Sequence, residues 1–206
     1  MSYDALELSI ERNNASVATL KRASKVVSKL IKRPSQLLFE PIGEIIRMEV
    51  YADASLANLP DGKSSTCGYI IVLKGSLGLR IIDWNSTKIQ RKVSSTLEAE
   101  ALSLKEALSD AIYLGSFLSE LICDDFTTNK IPIEAYTDNK PTEQNIRSTK
   151  QVQEKRLRID IGEIQRLIEE KEIHDVHWIS KENQLADGLT KRDVEMDNVL
   201  YLLGKS

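Results

Sequence analysis

With 206 residues, 41% of them hydrophobic and 29% charged, the chain is long enough to bury a real core and is not a disordered polymer. A net charge of −3 excludes a uniformly basic nucleic-acid binder, and two cysteines outside any C-x-x-C pattern support neither a disulfide framework nor a structural zinc site. No apolar run has the length of a membrane span and no signal-peptide pattern opens the chain, so an intracellular setting, cytoplasmic or nuclear, is expected, with no membrane partner.

The first periodic segment is residues 16–33. Val17, Leu20, Val27, Leu30 and Ile31 recur at helical spacing, with lysines and arginines on the other faces, which predicts an amphipathic helix that Pro34 stops. Residues 34–46 read as a linker. Residues 47–54 then read as a strand, Asn58-Leu59-Pro60-Asp61-Gly62 as a turn, and residues 67–73 as a buried strand rich in β-branched side chains. Residues 75–78 reverse the chain into a third strand over 79–85, giving an antiparallel meander. Ser95-Thr96-Leu97-Glu98 matches a capping box and opens a long helix whose apolar stripe runs through Leu97, Ala101, Leu104, Leu108, Ala111 and Leu118. A fourth strand is expected over 131–138. The intervening helix lets it lie parallel to the first strand through a right-handed crossover. Leu157, Ile161, Ile164 and Ile168 mark another helix, 173–179 a fifth strand, 185–191 a short helix and 196–203 a last helical piece. The result is an α/β order with a mixed sheet and helices packed on it.

Two acids end the two strands expected to be parallel neighbours, Asp53 and Asp138. Ligands of open α/β sheets collect at such strand ends. Either aspartate alone reads as a turn former; together they point to a shared site. On the long helix, Glu98 and Glu100 compete for the place nearest these acids. Glu98 has a structural task in the capping box. Glu100 shares the inward face of Leu104, Ala107 and Ala111, where a carboxylate is costly unless it meets a cation. Asp187, on the short late helix, reads alone as an ordinary helix N-terminal acid and in this company as a fourth ligand. Oxygen donors without His or Cys suit Mg2+ or Mn2+ over zinc. Ser55, Asn58 and Asn139 flank the acids and are candidates either for polar substrate contacts or for plain turn chemistry.

His174 and His177 fall on opposite faces of one strand, so a shared zinc site is not expected, and His177 and Trp178 are expected to pack on or cover the sheet. Arg147, Lys150, Lys155, Arg156 and Arg158 form a local basic cluster that reads either as a phosphate-facing patch or as a solvated helix face.

At these motifs the chain resembles the ribonuclease H domain of copia-type retrotransposon polyproteins. The matching stretches are Tyr51-Ala52-Asp53-Ala54-Ser55-Leu56-Ala57-Asn58, Ser94-Ser95-Thr96-Leu97-Glu98-Ala99-Glu100, Tyr136-Thr137-Asp138-Asn139-Lys140, and Trp178-Ile179-Ser180 with Asn183-Gln184-Leu185-Ala186-Asp187-Gly188-Leu189-Thr190-Lys191. Gly68-Tyr69 and Trp84 also fit. The resemblance spans about residues 47–192. It implies a ribonuclease H-like fold, a five-stranded mixed sheet with helices on both faces, and hydrolysis of the RNA strand of an RNA–DNA hybrid. It also implies two Mg2+ or Mn2+ ions held by Asp53, Glu100, Asp138 and Asp187, with Asp53 bridging, Glu100 and Asp138 completing one shell and Asp187 the other, and no small-molecule cofactor. Residues 1–46 resemble the end of an upstream reverse transcriptase domain, a possible partner, and 193–206 a helical tail. The loop Ser180-Lys181-Glu182-Asn183 lacks the histidine that many cellular ribonucleases H carry there, and the polymerase motif Tyr-x-Asp-Asp is absent. The rival expectation is a catalytically silent, domesticated module that binds hybrids or a protein partner.

Overall fold

Ile45–Ser55 forms strand β1 of the computed structural model, which describes residues 2–32, 40–123, 131–149, 152–191 and 199. Strands β2 (Thr66–Gly75) and β3 (Gly78–Lys88) follow as the antiparallel meander, and β1 is a little longer at both ends than its apolar pattern suggests. Strand β4 (Ile133–Thr137) lies parallel to β1 and β5 (Asp175–Trp178) parallel to β4, so the sheet order is β3-β2-β1-β4-β5 with β1 at its centre. Five strands in one mixed sheet are as expected. The fifth is shorter at both ends, and His174 stands just outside it.

The long helix α3 (Thr96–Cys123) supplies most of one cover of the sheet. Its start is fixed locally. The Ser95 hydroxyl accepts the Glu98 backbone N–H at 3.1 Å, and the Glu98 carboxylate reaches back to accept the Ser94 N–H at 2.7 Å and the Ser94 hydroxyl at 3.0 Å. The box therefore closes one residue further upstream than the simple pattern. Ala101, Leu104, Ala107, Leu108 and Ala111 are buried against Met48, Val50 and Ala52 of β1. Each leucine removed from water here contributes on the order of 2 kcal/mol. Helix α4 (Lys140–Arg147) begins at the Asn139 cap, and α5 (Lys155–Glu169) completes this layer through Leu157, Ile161, Ile164 and Leu167. Leu167 takes the buried place expected for Ile168, which is only partly buried. Asp160 is fully buried in α5 and is neutralised by Arg91 and by Lys105, whose Nζ lies 2.8 Å away, joining α5 to α3 and to the loop before it.

The opposite face carries shorter pieces. The four-residue helix α6 (Asp187–Thr190) sets Leu189, with Leu185 just before it, on Ile70, Val72 and Ile81, where Val199 also packs. The rest of the expected helix at 196–203 lies outside the described residues. Two helices precede the sheet. Helix α1 (Ser2–Glu11), not anticipated from the sequence, packs against β3 and α6. Helix α2 (Val17–Lys32) matches the expected amphipathic segment, but none of its residues is buried, and Val17, Leu20 and Ile31 are more than two-thirds exposed, at 72%, 71% and 75%. Helices thus cover both faces. Among the described residues no helix is long and apolar enough to cross a membrane.

A helix as short as α6 has no stability of its own. Three side-chain-to-backbone bonds hold this segment, two onto its own carbonyls and one from it onto β1. Asn58 donates to the Thr190 carbonyl at 2.7 Å, Ser86 to the Leu189 carbonyl at 2.6 Å, and Gln184 to the Ala52 carbonyl at 2.9 Å. Gly68 lets the helix come close: a Cβ there would meet Leu189 Cβ at 2.8 Å and Thr190 Cγ2 at 3.0 Å. Gly68→Ala is therefore expected to push α6 off β2 and cost about 1–3 kcal/mol. Urea denaturation measures it, and a variant of unchanged stability would show that α6 shifts without resistance.

Candidate metal centre

Asp53 is the ninth residue of β1 and Asp138 directly follows β4. Tyr51 pairs with Tyr136 across these parallel strands, and their rings stack with centroids 4.9 Å apart. Two residues further along each strand, on the same side by alternation, the two carboxylates arrive level with each other. Glu100 enters from the second turn of α3. A hydroxyl bond from Ser103 to the Asp53 carbonyl, at 2.9 Å, ties that helix to β1 beside the site. Asp53, Glu100 and Asp138 each offer one oxygen, and these oxygens lie within 4.8 Å of one another.

Asp187 stands next to this trio, linked through a cation. The Lys191 ammonium donates to Asp187 and lies 3.4 Å and 3.3 Å from the two Asp53 oxygens. The Thr190 hydroxyl donates to Asp53 as well. Sequence reasoning assigned no role to Thr190 or Lys191, although Asp187 and Lys191 stand at the i,i+4 spacing that pairs opposite charges on a helix.

Burial and like charge dominate the electrostatics. Burial, followed by repulsion from Asp53 and Asp138, pushes the Glu100 carboxyl well above its usual range. Burial raises Asp53 to about 6 against the downward pull of Lys191 and Thr190, with Asp138 and Asp187 adding to the rise. Burial alone would lower the Lys191 ammonium, but Asp53 and Asp187 outweigh it and raise it. Glu100 Oε2 is buried with no hydrogen-bond partner among the described residues. An orphaned buried oxygen, on a glutamate gathered with two other carboxylates, fits a divalent cation, which would satisfy all three groups at once. The donor set is oxygen only, as Mg2+ or Mn2+ prefers.

The remaining candidates divide. Glu98 does the capping expected of it, with Arg91 3.7 Å from its other oxygen. Asn58 is wholly engaged: besides Thr190, its amide nitrogen donates to the Tyr3 hydroxyl at 3.0 Å and its oxygen accepts from Thr66 at 2.8 Å. The Asn139 oxygen caps α4, accepting the Thr142 N–H at 3.0 Å and hydroxyl at 3.1 Å. Ser55 lines an open cleft of about 560 Å3 together with Glu7, Glu11, Arg22 and Lys191. The His177 ring tilts over Tyr136 at 5.6 Å, and the Trp178 indole N–H donates to the Asp138 carbonyl at 3.0 Å. Of the basic cluster, Arg147 is paired with Glu143 and, at 3.0 Å, with Asp175, and Arg156 donates to the Lys92 carbonyl at 3.0 Å. Lys150 lies outside the described residues.

In sequence, the chain is 29% identical over 192 residues, 93% of its length, to the retrovirus-related Pol polyprotein from transposon RE1 of Arabidopsis thaliana. It is 30% identical over 168 residues, 81% of its length, to the corresponding polyprotein from transposon RE2 of the same plant. The chain spans only 12% and 11% of those relatives. No family model matches it. In structure it is similar to LC11-RNase H1 solved in complex with an RNA/DNA hybrid, with a TM-score of 0.53 at 18% identity, covering 75% of this chain and 99% of that one. It is also similar to RNase H1 of Halobacterium salinarum, with a TM-score of 0.50 at 20% identity, covering 70% and 94%.

The buried charges carry a testable cost. The folded Asp53 carboxyl titrates near 6, above its value of about 4 in the unfolded chain. Below pH 4 both states are protonated and folding incurs no penalty. As pH rises from about 4 to about 6 the unfolded chain ionises while the native state keeps its proton, so up to about 3 kcal/mol is lost, and above 6 the loss is complete. Asp53→Asn and Glu100→Gln are therefore expected to stabilise the protein in EDTA at pH 8 and to change it little at pH 4. Denaturation at the two pH values decides this, and equal destabilisation of Asp53→Asn at both would mean that Asp53 is already satisfied by Thr190 and Lys191.

Proposed function

We propose that this chain, which has the ribonuclease H fold and is related in sequence to one segment of transposon Pol polyproteins, is a metal-dependent endonuclease that hydrolyses the RNA strand of RNA–DNA hybrids. The observation that carries the reading is the convergence of Asp53, Glu100 and Asp138 around an unpartnered, buried Glu100 oxygen. Asp53, Glu100 and Asp138 would hold one ion, and Asp187, with Asp53, would hold the other. When bound, the ion pair would activate a water for attack on phosphorus and stabilise the leaving 3′ oxygen.

The chain's own residues supply the frame. Thr190 and Lys191 orient Asp53, Trp178 anchors the backbone of Asp138, and Ser103 ties Asp53 to the helix that presents Glu100. Ser55 stands on the open cleft and is the best placed polar contact for a phosphate or 2′-hydroxyl, the groups that distinguish a hybrid in its wide minor groove. Asn139 has only its amide nitrogen to offer a substrate. Asn58 is read as a positioning residue that holds α6, and so Asp187, in place. In this reading residues 47–192 are the nuclease unit, 1–46 join it to an upstream reverse transcriptase domain, 193–206 form a tail, and the setting is intracellular.

The test is cleavage of an end-labelled RNA–DNA hybrid in Mg2+ beside double-stranded RNA and DNA. The expected result is cutting of the RNA strand of the hybrid alone, abolished by EDTA. Asp53→Asn is expected to cut slower by about three orders of magnitude or more and still bind the hybrid. Wild-type protein that binds the hybrid and never cuts it, at any Mg2+ or Mn2+ concentration, would replace this reading with that of a silent binding module.

A further inference from the structure

Lys191 occupies ground that the proposed function assigns to a metal. Its ammonium sits between Asp53 and Asp187, the two carboxylates that the second ion would have to share, and donates to one while lying 3.3 Å from the other. Of the trio of Asp53, Glu100 and Asp138, Lys191 pairs with Asp53 alone, and among the described residues no ammonium or guanidinium pairs with Glu100 or Asp138. The trio's members are gathered within 4.8 Å and one Glu100 oxygen is left over. The two halves of the centre are therefore unequal before any metal arrives.

We propose that Lys191 is a built-in counter-ion of the Asp53–Asp187 position, so that the second divalent ion binds only by displacing its ammonium. This inference rests on the metal-centre reading above and deepens it: one ion position is open and binds first, while the other is guarded and binds more weakly. The physical basis is direct competition. An ammonium within hydrogen-bond reach of two carboxylates carries a charge that a divalent ion must evict or repel. Lys191 is able to move. Its side chain is 31% exposed, and its four-carbon stem lines the open cleft. A displaced ammonium therefore has open solvent to turn into.

The competing role for Lys191 is purely structural, a helix pair that staples α6. The two roles separate on metal binding in the absence of substrate. Mn2+ titration of the full chain, followed by calorimetry and by loss of the free-ion paramagnetic resonance signal, reads each binding step without relying on catalysis. For the wild-type chain a stronger first step and a weaker second step are expected. Lys191→Met is expected to tighten the second step about tenfold or more, to leave the first within about threefold, and to give a larger Mn2+-dependent rise in Tm. Lys191→Arg, which keeps the charge, is expected to behave as wild type.

An unchanged or weakened second step in Lys191→Met, with the variant folded by its melt, overturns the proposal and leaves Lys191 as a staple or a phosphate contact. A different outcome would sink the metal centre itself, and this inference with it. That outcome is a first step absent from the wild-type chain or indifferent to Glu100→Gln.

Discussion

Three carboxylates whose oxygens lie within 4.8 Å of one another cannot all be ionised, buried and unaccompanied. The rest of the molecule is arranged around that constraint. β1 sits at the centre of the sheet because the site needs neighbours on both sides of it. On one side, the parallel partner β4 brings Asp138 level with Asp53. On the other, Gly68 of β2 opens the space that α6 enters with Asp187 and Lys191. The long helix brings Glu100 to the same point, its first turn pinned by Ser94, Ser95 and Glu98 and its inner face packed on β1. Burial raises the energy of the charges, and the same burial gives a cation in that place its grip, since electrostatic attraction strengthens as water is excluded.

The two aspartates at the strand ends belong to a rigid frame, whereas Asp187 is delivered by a four-residue helix fastened from outside. Asn58, Ser86 and Gln184 each spend a side chain on a backbone carbonyl of this neighbourhood. Asn58 also meets Tyr3 of α1, so the first helix of the chain is coupled through one amide to the segment that carries Asp187 and Lys191. The centre is thus one site built from two mechanical units, and the internal ammonium lies on the seam between them.

Most of the architecture was legible because its signals are dense. Strands β1 and β2 and the helices α3 and α5 show long apolar patterns of unmistakable period, and the parallel pairing of β1 with β4 follows from the crossover between them. Helix α4 escaped because only Thr142 and Ile146 of its eight residues are buried, which leaves no apolar period to read; the Asn139 cap and Pro141 were its only marks. Helix α1 escaped for a related reason, its burial depending on β3 and α6, far away in sequence. The apolar stripe of α2 was read correctly as a pattern, yet none of its residues is buried. At the centre, the nearness of Asp53, Glu100 and Asp138 was legible from their settings, but Asn58 read either as a substrate contact or as a turn residue, and its engagement with Thr66, Thr190 and Tyr3 exists only in the folded chain. Lys191 was visible as a letter in a motif, and its position over Asp53 was not, since sequence spacing reports the pairing with Asp187 alone.

The bonds that fasten α6 have a kinetic meaning. Asn58 reaches Thr190 across 132 residues, Gln184 reaches Ala52 across 132, and Lys191 reaches Asp53 across 138. Contacts of such high order carry a loop-closure entropy that local contacts do not, and they are expected to form after the meander and the long helix have condensed. The Asp53–Glu100–Asp138 trio can therefore exist in a chain whose last segment is still undocked, and the fourth carboxylate joins it late. Run backwards, the same order makes α6 the first part of the centre to open in the native state, by a local excursion that leaves the sheet intact.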